Sequence, residues 1–449
     1  MLNKNLKLAL YGGLIVAAAY SCKPKTEATP TTVAPAEAGT TLASADASYK
    51  SDLANYKDVT TVTTQSLSSL SSINGFEGGL NLSSNISSIA KVESKEEMDE
   101  MLSQISFQLG AIGLIGSKPD ANGRKIPTKF ADAKGIWVVT YTGSKYYKTA
   151  DWVKTGESDF IVLKFPSRYS YSDTSAANNA TYTIKKLETY DGSYQYCNKG
   201  VAATSTFSGT GAIEAELEVN GVKKMTYSYT STYDQTTKGR NSASGTMTID
   251  KYTYAYTYGV NGTSFNYTFK WSKDGGVFYE NTSNYEYKTA YSESPQTTLN
   301  CAPTTVTSTP IKYNYSFYRE SNLKSSLERK VRGNVTLETS YDEANNNKYF
   351  DEAVSKYSIK DEKNIDSATF NKVTKDTVLN DKYKSSMLYR TTDRAKLGTV
   401  VQRMEKVTQT INTYSYTYDR NFYYIVYSDG SKEKLSKKFT AFEDINYNY

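Results

Sequence analysis

The chemistry open to this chain is limited first by the absence of histidine from its 449 residues. Catalytic triads and dyads need an imidazole base, and many zinc, copper and haem sites need an imidazole ligand, so the sequence excludes them. Carboxylate chemistry remains, because two acidic side chains suffice for glycoside hydrolysis. The 47 acidic residues show no spacing that marks such a pair, so a carbohydrate-active protein stays an alternative without candidate residues.

Two other segments hold residue types that do chemistry elsewhere. The acidic stretch 342–352 has some features of a calcium loop, but Ala344 stands at a ligand position and the required glycine is missing. We predict a polar hairpin loop there. Ser321 and Lys324 have the spacing of a Ser-Lys pair, but they lie in a charged, irregular stretch. The sequence therefore predicts no catalytic residue, no cofactor and no metal.

The first 22 residues have the pattern of an export signal. Lys4 and Lys7 precede an apolar stretch, 8–19, that is short for a membrane-spanning helix. The sequence Ala19-Tyr20-Ser21-Cys22 follows and resembles a bacterial lipobox, although Ala19 and Tyr20 depart from the usual residues. The resemblance implies a signal peptide over 1–21 and a lipidated Cys22. It also implies a bacterial outer-membrane location, lipid-anchored, on the periplasmic face or the cell surface.

Residues 22–47 are predicted to be the lipidated cysteine and a disordered tether. The stretch is rich in Pro, Thr and Ala and shows no apolar periodicity with which to bury surface. A flexible tether after a lipidated cysteine would let a folded body stand off the membrane.

Two cysteines, Cys197 and Cys301, remain once Cys22 is assigned to lipid. The compartment of an exported protein is oxidising, and two remaining cysteines most simply pair with each other. The sequence does not give the separation that a disulfide needs, so two buried thiols are the alternative.

Residues 48–116 are predicted to be helical. Ser94 and Glu97 fit a capping box, in which each side chain bonds a backbone N–H at the start of a helix. Apolar residues follow at helical spacing: Met98, Met101, Leu102, Ile105, Leu109 and Ile112. We expect this helix, 94–112, to pack on a sheet, and we predict a weaker helix over 59–73.

From Lys134 onward the sequence alternates with a period of two, as in β-strands. Tyrosine accounts for 41 residues and alternates with threonine, serine or alanine, most clearly over 251–258. Alternation places the rings on one face of a strand and the hydroxyls on the other. Similar runs occupy 227–229, 265–271, 313–317 and 414–418.

Dipeptides that favour tight hairpin turns punctuate the strands: Asp191-Gly192, Asn220-Gly221, Asn261-Gly262, Asp274-Gly275 and Asp429-Gly430. We therefore predict a mainly β fold with a long antiparallel meander. The meander forms one large twisted sheet, an open half-barrel or two sheet sections, and a small N-terminal helical segment packs on it. A Pro-containing gap over 293–310 separates a first β section, 117–300, from a second, 301–449.

The aromatic rows have more than one interpretation. Cross-strand tyrosine pairs stabilise a sheet without any ligand. Alternatively, the rings stack on a sugar or line a cavity for an apolar ligand beneath the helix. The 53 Lys and Arg residues are interspersed with acidic ones rather than gathered in a stripe, which argues against nucleic acid as a partner.

Several segments between 135 and 181 carry a second resemblance: Gly135-Ile136-Trp137, Tyr141, Trp152-Val153-Lys154-Thr155, 159–167 and 178–181. They resemble an uncharacterised lipoprotein family of Bacteroidetes-type bacteria over about 135–258. The resemblance implies a secreted, lipid-anchored, β-rich protein and no particular activity.

These observations predict a lipid-anchored cell-envelope protein that binds or scaffolds through a Tyr-rich β surface and is not an enzyme. Its predicted partner is the membrane, through Cys22, with a glycan or an apolar ligand as further candidates. The alternatives are a carrier of an apolar ligand in a half-barrel and a carbohydrate-active protein that uses two carboxylates.

Overall fold

The computed structural model describes residues 30–72, 118–119, 125–126, 130–144, 147–168, 177–198, 201–234, 239–290, 322–411 and 414–439. The predicted signal peptide, Cys22, the capping-box helix 94–112 and Cys301 lie outside the described residues.

The described helices are α1 (Pro35–Ser72), α2 (Phe130–Ala133), α3 (Glu343–Tyr357), α4 (Ser367–Thr374), α5 (Thr377–Tyr383) and α6 (Leu435–Lys438). The described strands are β1 (Lys118–Pro119), β2 (Lys125–Ile126), β3 (Gly135–Ser144), β4 (Tyr147–Gly156), β5 (Ile161–Phe165), β6 (Ala180–Asn198), β7 (Val201–Val219), β8 (Val222–Asp234), β9 (Gly239–Ile249), β10 (Tyr252–Asn261), β11 (Ser264–Lys273), β12 (Gly276–Tyr287), β13 (Leu323–Arg332), β14 (Val335–Asp342), β15 (Ser386–Arg390), β16 (Lys396–Ile411), β17 (Tyr414–Val426) and β18 (Lys432–Lys434).

Sixteen of these strands form one large sheet. Its order runs from β18 to β6 in unbroken sequence and then through β5, β3 and β4. Neighbouring strands are antiparallel except β3 and β5, which are parallel. The predicted mainly β meander with a helical N-terminal segment is therefore confirmed. Because β12 pairs directly with β13, the two predicted β sections are parts of one sheet.

Glycine turns join several of the strands, as the sequence predicts. Gly221, Gly262, Gly275 and Gly430 each adopt a positive φ between strands. The predicted turn at Asp191-Gly192 is wrong, since both residues lie inside β6 and pair with Ser208 and Phe207 of β7. The strand ladder continues on both sides of this dipeptide, so pairing with β7 overrides the local turn preference.

Helix α1 begins at Pro35, and Thr31 and Val33 before it already form backbone hydrogen bonds with Lys396 of β16. The predicted disordered tether over 22–47 is therefore wrong from residue 31 onward. Proline suits the first position of a helix. Ala38, Leu42 and Ala45 follow at helical spacing and are buried. Two of these three side chains are alanines. Alanine gives only a weak apolar pattern in the sequence, so the start of this helix is not predicted. The weaker helix predicted over 59–73 is the second half of α1.

Contacts along α1 show that this helix crosses the strands. Val33, just before it, donates its N–H to the Lys396 carbonyl of β16 at 3.1 Å. Asp52 pairs with Lys273 of β11 at 2.6 Å, and the Ser69 hydroxyl donates to the Pro166 carbonyl next to β5. A helix of 38 residues is about 57 Å long. The eleven strand spacings from β16 to β5 measure ~53 Å, so α1 has the length needed to reach across them.

Helices α3, α4 and α5 form an insertion between β14 and β15. Asp342 caps α3 by accepting a hydrogen bond from the Asn345 N–H at 3.0 Å. The buried side chains of the insertion form a small core of their own: Tyr349, Phe350, Ala353, Ile365, Val373 and Leu379. The polar loop predicted over 342–352 is therefore wrong, because Asp342 acts as a helix cap and the apolar residues after it share one helical face.

We expect Gly333→Ala to destabilise the fold through its contact with α1. Gly333 lies in the β13–β14 turn at φ 58°, and an added Cβ would stand 2.8 Å from the backbone oxygen of Ala45. The left-handed conformation costs an alanine ~1–2 kcal/mol and overpacking adds ~1–3 kcal/mol. The free energy of unfolding, measured in urea, should fall by ~2–5 kcal/mol.

Gly262→Ala is the matched control. Gly262 also has a positive φ, 59°, but no atom lies within 4 Å of its added Cβ in the part of the chain that the structure describes. This variant should lose only the conformational part, ~1–2 kcal/mol. Equal losses in the two variants would contradict the close approach of α1 to the β13–β14 turn.

Candidate functional site

The clearest tyrosine row lies on the face of the sheet that α1 covers, here called the inner face. Tyr252 and Tyr254 are 0% exposed, and Tyr256 and Tyr258 are each 8% exposed. The buried ring of Tyr56 in α1 meets Tyr252 edge-on, with 5.1 Å between the ring centroids. These contacts are those of a packed core between helix and sheet, so this row is not an accessible binding surface.

The opposite, outer face carries the hydroxyls that alternate with these rings. Thr230 of β8 and Ser244 of β9 share a hydrogen bond of 2.9 Å across the strands. Thr232 and Ser242 form the same contact at 2.7 Å. The predicted separation of aromatic and hydroxyl faces is therefore confirmed in this part of the sheet.

A cleft of about 200 Å³ lies on the inner face, over strands β13 to β17. Its floor is apolar, because Leu337, Val400 and Leu435 are buried members of the main core. Polar groups surround this floor, together with the half-buried ring of Tyr423. The polar lining residues are Glu328, Lys330, Thr339, Lys384, Ser386 and Gln402.

Lys384 is the lining residue with the most unusual surroundings. It directly follows α5, and its Nζ lies 4.0 Å from the centroid of the Tyr349 ring, a cation–π contact. The residue as a whole is exposed, but its ammonium group is turned against this ring. Withdrawal of the ammonium from water lowers the pKa of Lys384. No carboxylate among the described residues forms an ion pair with it.

Three other polar groups of the cleft, those of Glu328, Thr339 and Ser386, are fixed by hydrogen bonds. The Thr339 and Ser386 hydroxyls lie 2.7 Å apart across β14 and β15. The Glu328 carboxylate accepts a hydrogen bond of 2.6 Å from the Tyr285 hydroxyl. Burial, together with this bond to a carboxylate, raises the pKa of Tyr285, so the phenol stays protonated and keeps donating.

Asp376 holds in place the short helix that carries Lys384. Its carboxylate accepts the backbone N–H groups of Val378 and Leu379 and thereby caps α5. It also accepts hydrogen bonds from Lys356 Nζ at 2.5 Å and from the Tyr357 hydroxyl at 2.7 Å. Burial by itself raises the pKa of Asp376, but these bonds outweigh burial and lower it to about 2. The cap therefore stays charged at neutral pH and ties α5 to α3.

Of the site residues predicted from the sequence, Cys197 is the one that the structure describes, and it lies in β6, outside the strands that carry the cleft. Cys197 lies near the end of β6, opposite Ala202 of β7. Its predicted disulfide partner Cys301 and the predicted lipid site Cys22 lie outside the described residues, so both assignments stay predictions. Sequence reasoning missed the cleft residues, and one signal for them was the charged run 328–330 inside a strand, which breaks the apolar alternation.

None of the described helices is both long and apolar enough to span a membrane. No group of three or more acidic or cysteine side chains within the described ranges is placed to hold a metal ion. Comparison of the chain with protein families, curated proteins and solved structures finds no match. The lipoprotein resemblance therefore stays a prediction, and the described structure defines an open meander sheet with one covering helix and one polar-rimmed cleft.

Proposed function

We propose that the protein is a lipid-anchored protein of the bacterial cell envelope that acts by binding a small polar ligand in the cleft over β13 to β17. The composition of the cleft is the observation that carries this proposal. Ligand sites combine an apolar lining with a few polar groups that fix orientation, and this cleft has both. Its volume of about 200 Å³ is below the ~300–1,000 Å³ of pockets for drug-sized molecules. A single sugar ring or a short organic acid fits that scale.

The floor and two of the polar groups of the cleft are already held in place, so a ligand would bind without rearrangement of these side chains. Leu337, Val400 and Leu435 belong to the main core, and Ser386 and Thr339 are hydrogen-bonded to each other. A preformed site lowers the entropy cost of ordering side chains when a ligand binds. The strands that carry these residues are paired in one continuous ladder, which holds their spacing constant.

The cleft replaces the tyrosine rows as the binding surface in this proposal. The rings of Tyr252 and Tyr254 are fully buried beneath α1 and are committed to packing. The alternative of a two-carboxylate carbohydrate enzyme gains no support from the cleft. Its described lining contains one carboxylate, Glu328, which Tyr285 already engages.

The lipid anchor is the second part of the proposal, and it rests on the export signal and Cys22. Because the Thr31 carbonyl already accepts a hydrogen bond from the Lys396 N–H of β16, nine residue steps separate Cys22 from the folded body. A fully extended chain of that length reaches at most about 32 Å. The body would therefore stay within that distance of the membrane surface, closer than a tether ending at residue 47 would hold it.

Cys22→Ser should move the protein from the membrane fraction to the soluble fraction of the envelope, because serine cannot take the thioether-linked lipid. Fractionation followed by immunoblotting measures the shift. Ser21→Ala is the control, since it keeps the cysteine and a small residue before it, and this variant should remain in the membrane. A Cys22→Ser protein that stays in the membrane at the wild-type level would contradict the anchor.

Gln402→Trp should block the cleft. Gln402 is an exposed residue of the lining, so a larger side chain at this position fills the cleft and leaves the buried floor unchanged. Ligand-observed NMR of the full chain in detergent, with a panel of monosaccharides and short organic acids, measures binding. We expect at least one panel member to bind the wild type and to lose ~10-fold or more in affinity in the variant.

Gln409→Trp is the matched control for this test. Gln409 lies on the same strand, β16, is also exposed, and does not line the cleft. Its substitution should leave affinity unchanged. The proposal fails if no panel member binds the wild type, or if the Gln402 and Gln409 variants bind equally well.

A further inference from the structure

The charges around the cleft identify the class of ligand, an inference that rests on the proposed function. We infer that the cleft binds a sugar acid, a single hexuronate-type ring whose carboxylate is held by the ammonium group of Lys384. The argument uses three parts of the lining: the cation, the hydroxyl and amide groups, and the apolar floor.

The cation is the first part, and Lys384 differs from the lysines near it. Lys382 pairs with Glu352 at 2.6 Å, and Lys356 pairs with Asp376 at 2.5 Å. Lys384 instead lies against the Tyr349 ring and has no carboxylate partner among the described residues. A cation withdrawn from water without a counter-ion is destabilised, and the lowered pKa of Lys384 reflects this. A ligand carboxylate would supply the missing counter-ion and form a charge-assisted hydrogen bond.

The neutral polar groups are the second part. Thr339 and Ser386 use one hydrogen bond between them, and each hydroxyl retains further acceptor capacity. Gln402 is exposed at the cleft and presents both a donor and an acceptor on one amide. Such groups match the ring hydroxyls of a sugar, each of which both donates and accepts. A simple aliphatic acid would leave them without ligand partners.

The apolar surfaces are the third part. Tyr423 packs against the main core and turns its ring to the cleft, next to the buried Val400. These surfaces suit the C–H face of a sugar ring. Glu328 stands elsewhere on the lining and is negatively charged, so it repels a ligand carboxylate and favours the orientation in which that group meets Lys384. Lys330, which also lines the cleft, adds positive charge.

Isothermal titration calorimetry of the full chain in detergent tests the inference with two matched pairs of ligands, glucuronate with glucose and galacturonate with galactose. Each pair differs only in the carboxylate. In the wild type at least one acid should bind ~10-fold or more tightly than its neutral partner, as expected for a charge-assisted hydrogen bond. Lys384→Met, which keeps an unbranched stem and removes the ammonium group, should abolish that preference.

Two further variants separate charge from folding. Lys384→Arg keeps the charge and should retain most of the preference for the acid. Lys382→Met removes a neighbouring charge outside the cleft lining and should retain all of it. Urea unfolding of each variant confirms that the fold is intact, and the wild-type comparison of ligands needs no variant at all.

The outcomes distinguish this inference from the proposed function. Equal binding of acid and neutral sugar by the wild type would overturn the sugar-acid assignment and leave a cleft that binds polar ligands. A preference for the acid that persists in folded Lys384→Met would overturn the role of Lys384. Binding of other members of the NMR panel, but of neither sugar nor sugar acid, would overturn the ligand class alone. Absence of any binding would overturn both proposals.

Discussion

A sheet of this width is stable in water only if one of its faces is covered, and in the described part of the chain the long helix α1 packs across that face. The inner face carries large rings such as Tyr252, Tyr254 and Trp271, which are 0% exposed. Helix α1 inserts the Tyr56 ring among them, 4.9 Å from the centroid of Trp271. Burial of aromatic surface between helix and strands therefore stabilises the fold. The covered face of the meander and the position of the cleft depend on this packing.

In the proposed function, this packing also decides where the ligand binds. Rings that are held between α1 and the sheet cannot contact a ligand, so the accessible chemistry moves to β13 to β17. There the inserted helices α3 to α5 bring Lys384 to the inner face, and Asp376 fixes the position of that lysine through the cap of α5. The same fold therefore separates a dry aromatic core from a polar-rimmed cleft. In the proposed function the first provides rigidity and the second binds the ligand.

Features that depend on neighbouring residues in the sequence are predictable here, and features that depend on distant pairing are not. Alternating tyrosines and Asn-Gly or Asp-Gly turns are local signals, and they correctly predict the described strands that carry these runs and four of the five turns. Asp191-Gly192 misleads because pairing between β6 and β7, a non-local effect, overrides the turn preference. Residues 35–47 of α1 are missed because two of their three buried side chains, Ala38 and Ala45, are alanines, which give a weak apolar pattern. The cleft is not predictable, since its lining residues lie between 328 and 435 and meet only through strand pairing and the helical insertion.

Hydrogen exchange measured by mass spectrometry tests the covering role of α1 most directly. The backbone amides of residues 38–56 should exchange as slowly as those of β10 and β11, because helix and strands form one cooperative unit around shared rings. A helix of this composition without packing would open readily, since isolated helices are marginal in water. Exchange of residues 38–56 at the rate of an unstructured chain, while β10 and β11 remain protected, would contradict the account.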